Sequence, residues 1–278
     1  AIFYKVANSL CTPLIDSNMD WLYYSIMGML AMALGIFGSV FNTFSALYQA
    51  KDNDLLLSMP IKPSYILISR MFGTYILGLF FELLVMIPAL LVYVINCRAN
   101  ALSVIGAIIT SLVISLFVLS VSCILGFFIA LINKRIKSKS FITVFISLGF
   151  LAIYFYFYSK AYALLQSIIT NSAAYGEKVK KILFPIYIMG KSATGNLLSV
   201  LLFILMVLAL MTIVYLVLAK SFLSLNTANK GTKKSTRPQK EMSVNSVNKA
   251  LFKKELKRFT GSATYMMNCG LGTIGLLA

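Results

Sequence analysis

The sequence predicts an all-α fold, a polytopic transmembrane helical bundle, on three observations. Hydrophobic residues fill 59% of the 278 positions and charged residues only 12%, whereas soluble domains carry about 45–50% and 25%. Charge-free runs of 20 residues or more recur along the chain. Those runs are continuously apolar and too long for the alternating strands of a β-barrel, so their backbone groups can be satisfied in lipid only as helices.

A helix needs about 20 apolar residues to cross a hydrocarbon core of ~30 Å. Residues 21–50 contain no charge, and 71–97 contain only Glu82. Residues 99–133, 140–159 and 192–219 are again uncharged, and 259–278 is long enough to begin a further span. Five complete spans and one truncated span are expected. Ala1 in place of an initiator Met, and a C-terminus inside an apolar run, lead to the expectation that the chain is a segment of a longer polypeptide.

Net charge is +17, which in a membrane protein bears on orientation and anionic lipid rather than on nucleic acid. With the segment after the first span inside, the cytosolic side holds Lys51, Lys62, Arg70 and the cluster Lys134, Arg135, Lys137 and Lys139. It also holds the cations from Lys220 to Arg258, so most of the 25 Lys and Arg lie there. Lys5, Arg98, Lys160, Lys178, Lys180, Lys181 and Lys191 are left outside. The outer loop from 161 to 191 is partly apolar. Its segments 163–169 and 179–189, separated by 171–178, are too short to span and are expected to be re-entrant or interfacial helices. Residues 226–248, rich in Lys, Ser, Thr and Asn, are expected to be a flexible basic cytosolic linker. After it, Leu251, Phe252, Leu256 and Phe259 share one helical side opposite Lys249, Lys253, Lys254 and Lys257, the pattern of an interfacial helix.

Catalytic chemistry finds little material. The chain has no His, which removes Ser–His–Asp and Cys–His catalysis, His-ligated metals and a His switch. Cys11, Cys97, Cys123 and Cys269 form no CxxC or zinc spacing. Cys11 and Cys97 fall on the same side and could pair, and Cys123 reads as core packing. Gly190-Lys191-Ser192 imitates the end of a P-loop, but Pro185 occupies the earlier glycine position. Gly270-Leu-Gly-Thr-Ile-Gly275 matches GxGxxG inside an apolar run with no βαβ unit around it. ATP binding by this chain is therefore not expected, and no catalytic, cofactor or metal residues are assigned.

Polar and small residues within spans mark positions of interest. Gly28, Ala31, Gly35, Gly38 and Asn42 form a smooth stripe suited to close helix approach, with Asn42 and Thr43 able to bond across helices. Glu82 is the one acid in a complete span. It is either a contact for substrate, proton or a basic partner, or a neutral acid bonded to a neighbouring helix. Pro88 is expected to kink the same helix.

The most informative segment lies between the first two spans: Lys51, Asp52, Asn53, Asp54, Leu55, Leu56, Leu57, Ser58, Met59 and Pro60. Asp52, Asn53 or Asp54 can cap a short helix. The three leucines give it an apolar surface, and Pro60 and Pro63 end it and start the next helix. An exposed Leu triplet favours a protein partner over a loop folded back on the membrane.

At these residues the sequence resembles the permeases of ABC-2-type (type V) ATP-binding cassette exporters, whose first cytoplasmic loop forms a coupling helix seated in the ATPase. The resemblance implies that Lys134, Arg135, Lys137 and Lys139 make a second cytosolic contact. It further implies that 249–278 opens a second permease half with an interfacial connector helix, and that 1–225 is a first half lacking its first helix. ATP and Mg would be held by a separate cytosolic ATPase, with membrane lipid and a second half, in the same polypeptide or in a homologous subunit, as further partners. The location implied is a bacterial cell (plasma) membrane, multi-pass, and the chain itself would not be an enzyme. A non-transporting sensor or immunity module, holding a partner or anionic lipid on its basic inner face, is the alternative from another class.

Overall fold

The computed structural model describes residues 2–50, 52–97, 100–135, 172–227 and 247–261, with single positions at Gly149, Tyr156, Lys160 and Ser167. Among these, four helices are long and apolar enough to cross a membrane: Asp20–Tyr48, Pro63–Asn96, Ala101–Leu131 and Leu197–Phe222. The described part is an all-α membrane bundle. The expected span at 140–159 lies outside the described residues, as do most of the linker and everything after 261.

Helix α1 (Ile2–Asp16) is followed by α2 (Asp20–Phe44), which widens into a π-helical turn at Ser45–Gln49. The short α3 (Asn53–Ser58) leads into α4 (Pro63–Cys97) and α5 (Ala101–Arg135). After the undescribed stretch come α6 (Ser172–Ile182), α7 (Phe184–Ala193), α8 (Leu197–Thr227) and α9 (Val247–Gly261). Helix α4 runs unbroken through Pro88. At 1.5 Å per residue, α4 and α5 are each about 52 Å long. That exceeds the ~40–45 Å of core plus headgroups, so the helices run beyond their charge-free stretches.

Helix α2 is central and packs against α4, α5 and α7, while α8 packs against α5 and α7. The apolar core forms two clusters along the bundle. One joins Leu10, Tyr23, Val92, Tyr93, Ile114, Met189 and their neighbours at the end that carries α1 and α7. The other joins Phe44, Leu47, Leu67, Met71, Ile129, Leu218 and Phe222 at the end that carries α3. The second end is the one that the charge bias expects on the cytosolic side. Aromatic rings gather at the outer end: Trp21 meets Tyr187 edge-on at 4.9 Å and Tyr24 meets Tyr93 at 4.9 Å, an arrangement suited to a membrane–water boundary.

Two features differ from the sequence expectation. Helix α1 was not foreseen; it buries Ala7, Leu10, Cys11 and Leu14 against the outer ends of α2 and α4. The outer loop is also divided differently. Helix α6 covers most of the expected separator 171–178, and the apolar segment 179–189 breaks at Leu183. Pro185 stands in the first turn of α7, where its missing amide is tolerated, so the break falls just before it.

The small-residue stripe serves close packing. A Cβ at Gly28 would meet Met189 Cε at 2.6 Å, one at Gly35 would meet Val118 at 3.0 Å, and one at Gly38 would collide with the Phe81 ring. Gly190 is pressed against the Trp21 carbonyl and Ser25 within α7. The Gly190-Lys191-Ser192 pattern is thus a helix–helix contact rather than a phosphate loop.

Candidate functional site: a cytosolic knob and an intramembrane acid

Helix α3 forms because Asp52 O accepts the Leu56 amide at 2.9 Å while Pro60 and Pro63 bar a longer helix. Met59, its C-cap, is extended at φ −78, ψ 156. Ser58 Oγ donates to Leu55 O at 2.7 Å, closing the last turn. The result is a stub joined to the first residue of α4.

The Leu triplet does not face outward as a block. Leu55 is 61% exposed and Met59 40%, but Leu56 and Leu57 are half-buried and pack against the cytosolic-end core. A six-residue helix has one free side, so consecutive leucines must divide between anchor and surface. Asp52 stands at the N-cap position without a side-chain capping bond. Its Oδ2 instead lies 2.6 Å from Arg70 Nη2 on α4, and the Arg70 hydrogen bond holds the Asp52 carboxyl below its usual value. Asn53 and Asp54 belong to α3 by backbone, and Lys51 lies outside the described residues.

Asn42, Asp52, Leu56, Ile61, Tyr65, Ser69, Arg70, Gly73 and their neighbours line an open cavity of about 580 Å³ beside the stub. Asn42 faces this cavity rather than bonding across helices. Thr43 Oγ1 donates to Ser39 O in its own helix, at 2.8 Å. Its neighbour Ser39 does cross, its Oγ lying 2.7 Å from Ser122 Oγ on α5.

Glu82 is fully buried near mid-helix. Ser111 Oγ donates to its Oε1 at 2.8 Å and Ser115 Oγ to its Oε2 at 2.9 Å. The ion pairs between described side chains are Asp52–Arg70 and Glu177–Lys181, and neither involves it. Glu82 thus makes a hydrogen-bonded link to the neighbouring helix.

Helix α5 ends at Arg135, so Lys134 and Arg135 close the helix at the end holding α3, while Lys137 and Lys139 lie outside the described residues. Helix α9 covers the expected interfacial segment, with Leu251, Phe252 and Leu256 all half or more exposed. Phe259 falls in its last turns. Sequence reasoning counted Arg70 only as a cytosolic cation and missed Ser111 and Ser115. Their i, i+4 spacing in an apolar helix was the available signal.

A sequence profile described as "Membrane protein of 12 TMs" matches residues 2–263. The chain belongs to that family. Neither the curated proteins nor the solved structures compared with it provide a match. As a member of a twelve-span membrane family, the protein is a multi-pass membrane protein, and its knob and its buried acid are features of a membrane bundle.

Proposed function

We propose that this chain is the transmembrane permease of an ATP-binding cassette exporter, driven by separate cytosolic subunits that bind and hydrolyse ATP with Mg. The observation that carries the reading is the α3 stub. It offers Leu55 and Met59 outward, holds Leu56 and Leu57 inward, and is tied to α4 through Asp52 and Arg70. A force applied to Leu55 passes through a one-turn helix and an ion pair into α4, the helix that carries Glu82. Twelve spans, the number in the family's description, is what two fused six-helix halves would supply, which supports reading 249–278 as the start of a second half. Lys134, Arg135, Lys137 and Lys139 then form a second contact for the ATPase, and α9 acts as the connector helix. The location that follows is a bacterial plasma membrane.

The test is Leu55→Glu in the full chain, reconstituted with a co-purifying ATP-binding cassette ATPase. A charge in the centre of an apolar interface lowers affinity by about tenfold or more, so stimulation of ATP hydrolysis and co-purification should fall together while the melting temperature holds. Stimulation equal to wild type would overturn the docking assignment.

A further inference from the structure

We propose that α9 docks reversibly on anionic phospholipid of the leaflet at the α3 end, laying Leu251 and Phe252 among the headgroups, and that Glu255 on the same side keeps this docking dependent on lipid charge. The proposal stands independently of the ATPase reading. Its first support is exposure. Residues 251–255 are exposed without interruption, and five residues make more than a full turn, so α9 presses no side against the described bundle. Leu251 is 53% exposed and Phe252 69%. A 15-residue helix with no packed side is marginal in water, and its large apolar side chains call for a surface to cover them.

The second support is charge, which selects the surface. The helix carries Lys249, Lys253, Lys254, Lys257 and Arg258 against Glu255. The chain on either side does not reverse that balance. Residues 228–246 contain Lys230, Lys233, Lys234, Arg237 and Lys240 against Glu241, and 262–278 contain no charge. Helix α8 brings Phe222, near its end, into the core at the α3 end. The charged run after it is too polar to cross back, so α9 stands on that same side. The leaflet there offers both parts of the match, negative headgroups and an apolar layer beneath them.

The third support is register. At about 100° per residue, Glu255 falls between Leu251 and Phe252 around the helix, and Leu256 follows Phe252. Lys249 borders that side beyond Leu256, whereas Lys257 stands across the helix from it. A helix is about 10–12 Å across with its side chains, and the Debye length is ~8 Å at physiological salt. A lysine at the edge therefore reaches the phosphates, while the charge on the far side is largely screened from them. Glu255 opposes both the burial of its side and the attraction to anionic headgroups. Docking thus relies on the negative charge of the leaflet and stays reversible, unlike that of a purely apolar face.

The experiment is hydrogen–deuterium exchange of residues 249–256 in the full chain, held in nanodiscs of phosphatidylcholine alone or with one-third phosphatidylglycerol. Each cation near an anionic surface strengthens binding about fivefold. Amide exchange should therefore slow by about tenfold with phosphatidylglycerol, and the difference should vanish in ~1 M salt. Gln keeps the helix propensity of Lys and Glu, so three variants read the register. Lys249→Gln should lose about fivefold of the slowing and Lys257→Gln less than about twofold. Glu255→Gln should slow exchange even on phosphatidylcholine alone. Equal exchange of the wild type in the two lipids, or a difference that survives ~1 M salt, would overturn the proposal. So would equal losses in Lys249→Gln and Lys257→Gln, the mark of unoriented attraction. Faster exchange in Glu255→Gln would overturn it in favour of a protein surface, a second copy included, that pairs with the acid.

Discussion

Ser115 on α5 donates a 2.9 Å hydrogen bond to Glu82 on α4, and Ser111 one turn earlier donates to the other carboxylate oxygen at 2.8 Å. The two helices are therefore pinned at mid-membrane by a three-residue polar clasp whose acid is enclosed by protein. Interhelical hydrogen bonds within membranes contribute about 0.6–2 kcal/mol each. Replacing both serines by Ala should destabilise the bundle by about 1–3 kcal/mol in a detergent unfolding titration. Glu82→Gln retains an acceptor and should cost less than Glu82→Ala. Equal losses for the two variants would show that the hydrogen bonds do not hold the helices together.

Gly38 and Gly73 should respond in opposite ways to an added side chain. A Cβ at Gly38 runs into the Phe81 ring, whereas one at Gly73 meets open space. Overpacking costs about 1–3 kcal/mol, and Gly→Ala in an unobstructed helix gains about 0.5–1 kcal/mol. Gly38→Val should therefore unfold at lower denaturant than wild type, and Gly73→Ala at equal or higher denaturant. The reverse order would contradict the packing of α2 on α4.

Asp52 should titrate below the ordinary carboxylate value of 3.8 because Arg70 hydrogen-bonds its charged form. A depressed folded value means that the unfolded chain binds the proton more readily. The ion pair's contribution is then complete above the unfolded value and disappears as pH falls through the lower, folded one. The carboxyl-carbon shift of Asp52, followed by nuclear magnetic resonance, should give a midpoint under 3.8 that rises toward it in Arg70→Gln. An identical midpoint in both proteins would mean that the stub is not tied to α4 in solution.

Much of this architecture was legible along the chain. Continuous apolar runs announced the spans, because lipid leaves the backbone no alternative to a helix. Pro60 and Pro63 bounded the stub, because a residue without an amide hydrogen is accommodated far better in a helix's first turn or beyond its end than in its interior. The lone acid at Glu82 marked a place where α4 had to meet protein rather than lipid. Helix α1 escaped notice because its burying surface is made by the outer ends of α2 and α4, remote in sequence.

What the sequence determined by itself was the class of molecule, the positions of its long helices and the existence of a stiff protrusion between two of them, since each follows from local hydrophobicity and backbone chemistry. Tertiary structure alone decided that Leu55 faces outward while Leu56 and Leu57 anchor, that Asp52 pairs with Arg70 rather than capping its helix, and that Ser111 and Ser115 answer Glu82. Each of these is a contact between helices, and its identity depends on the rotation and depth at which the helices pack, which no single segment encodes.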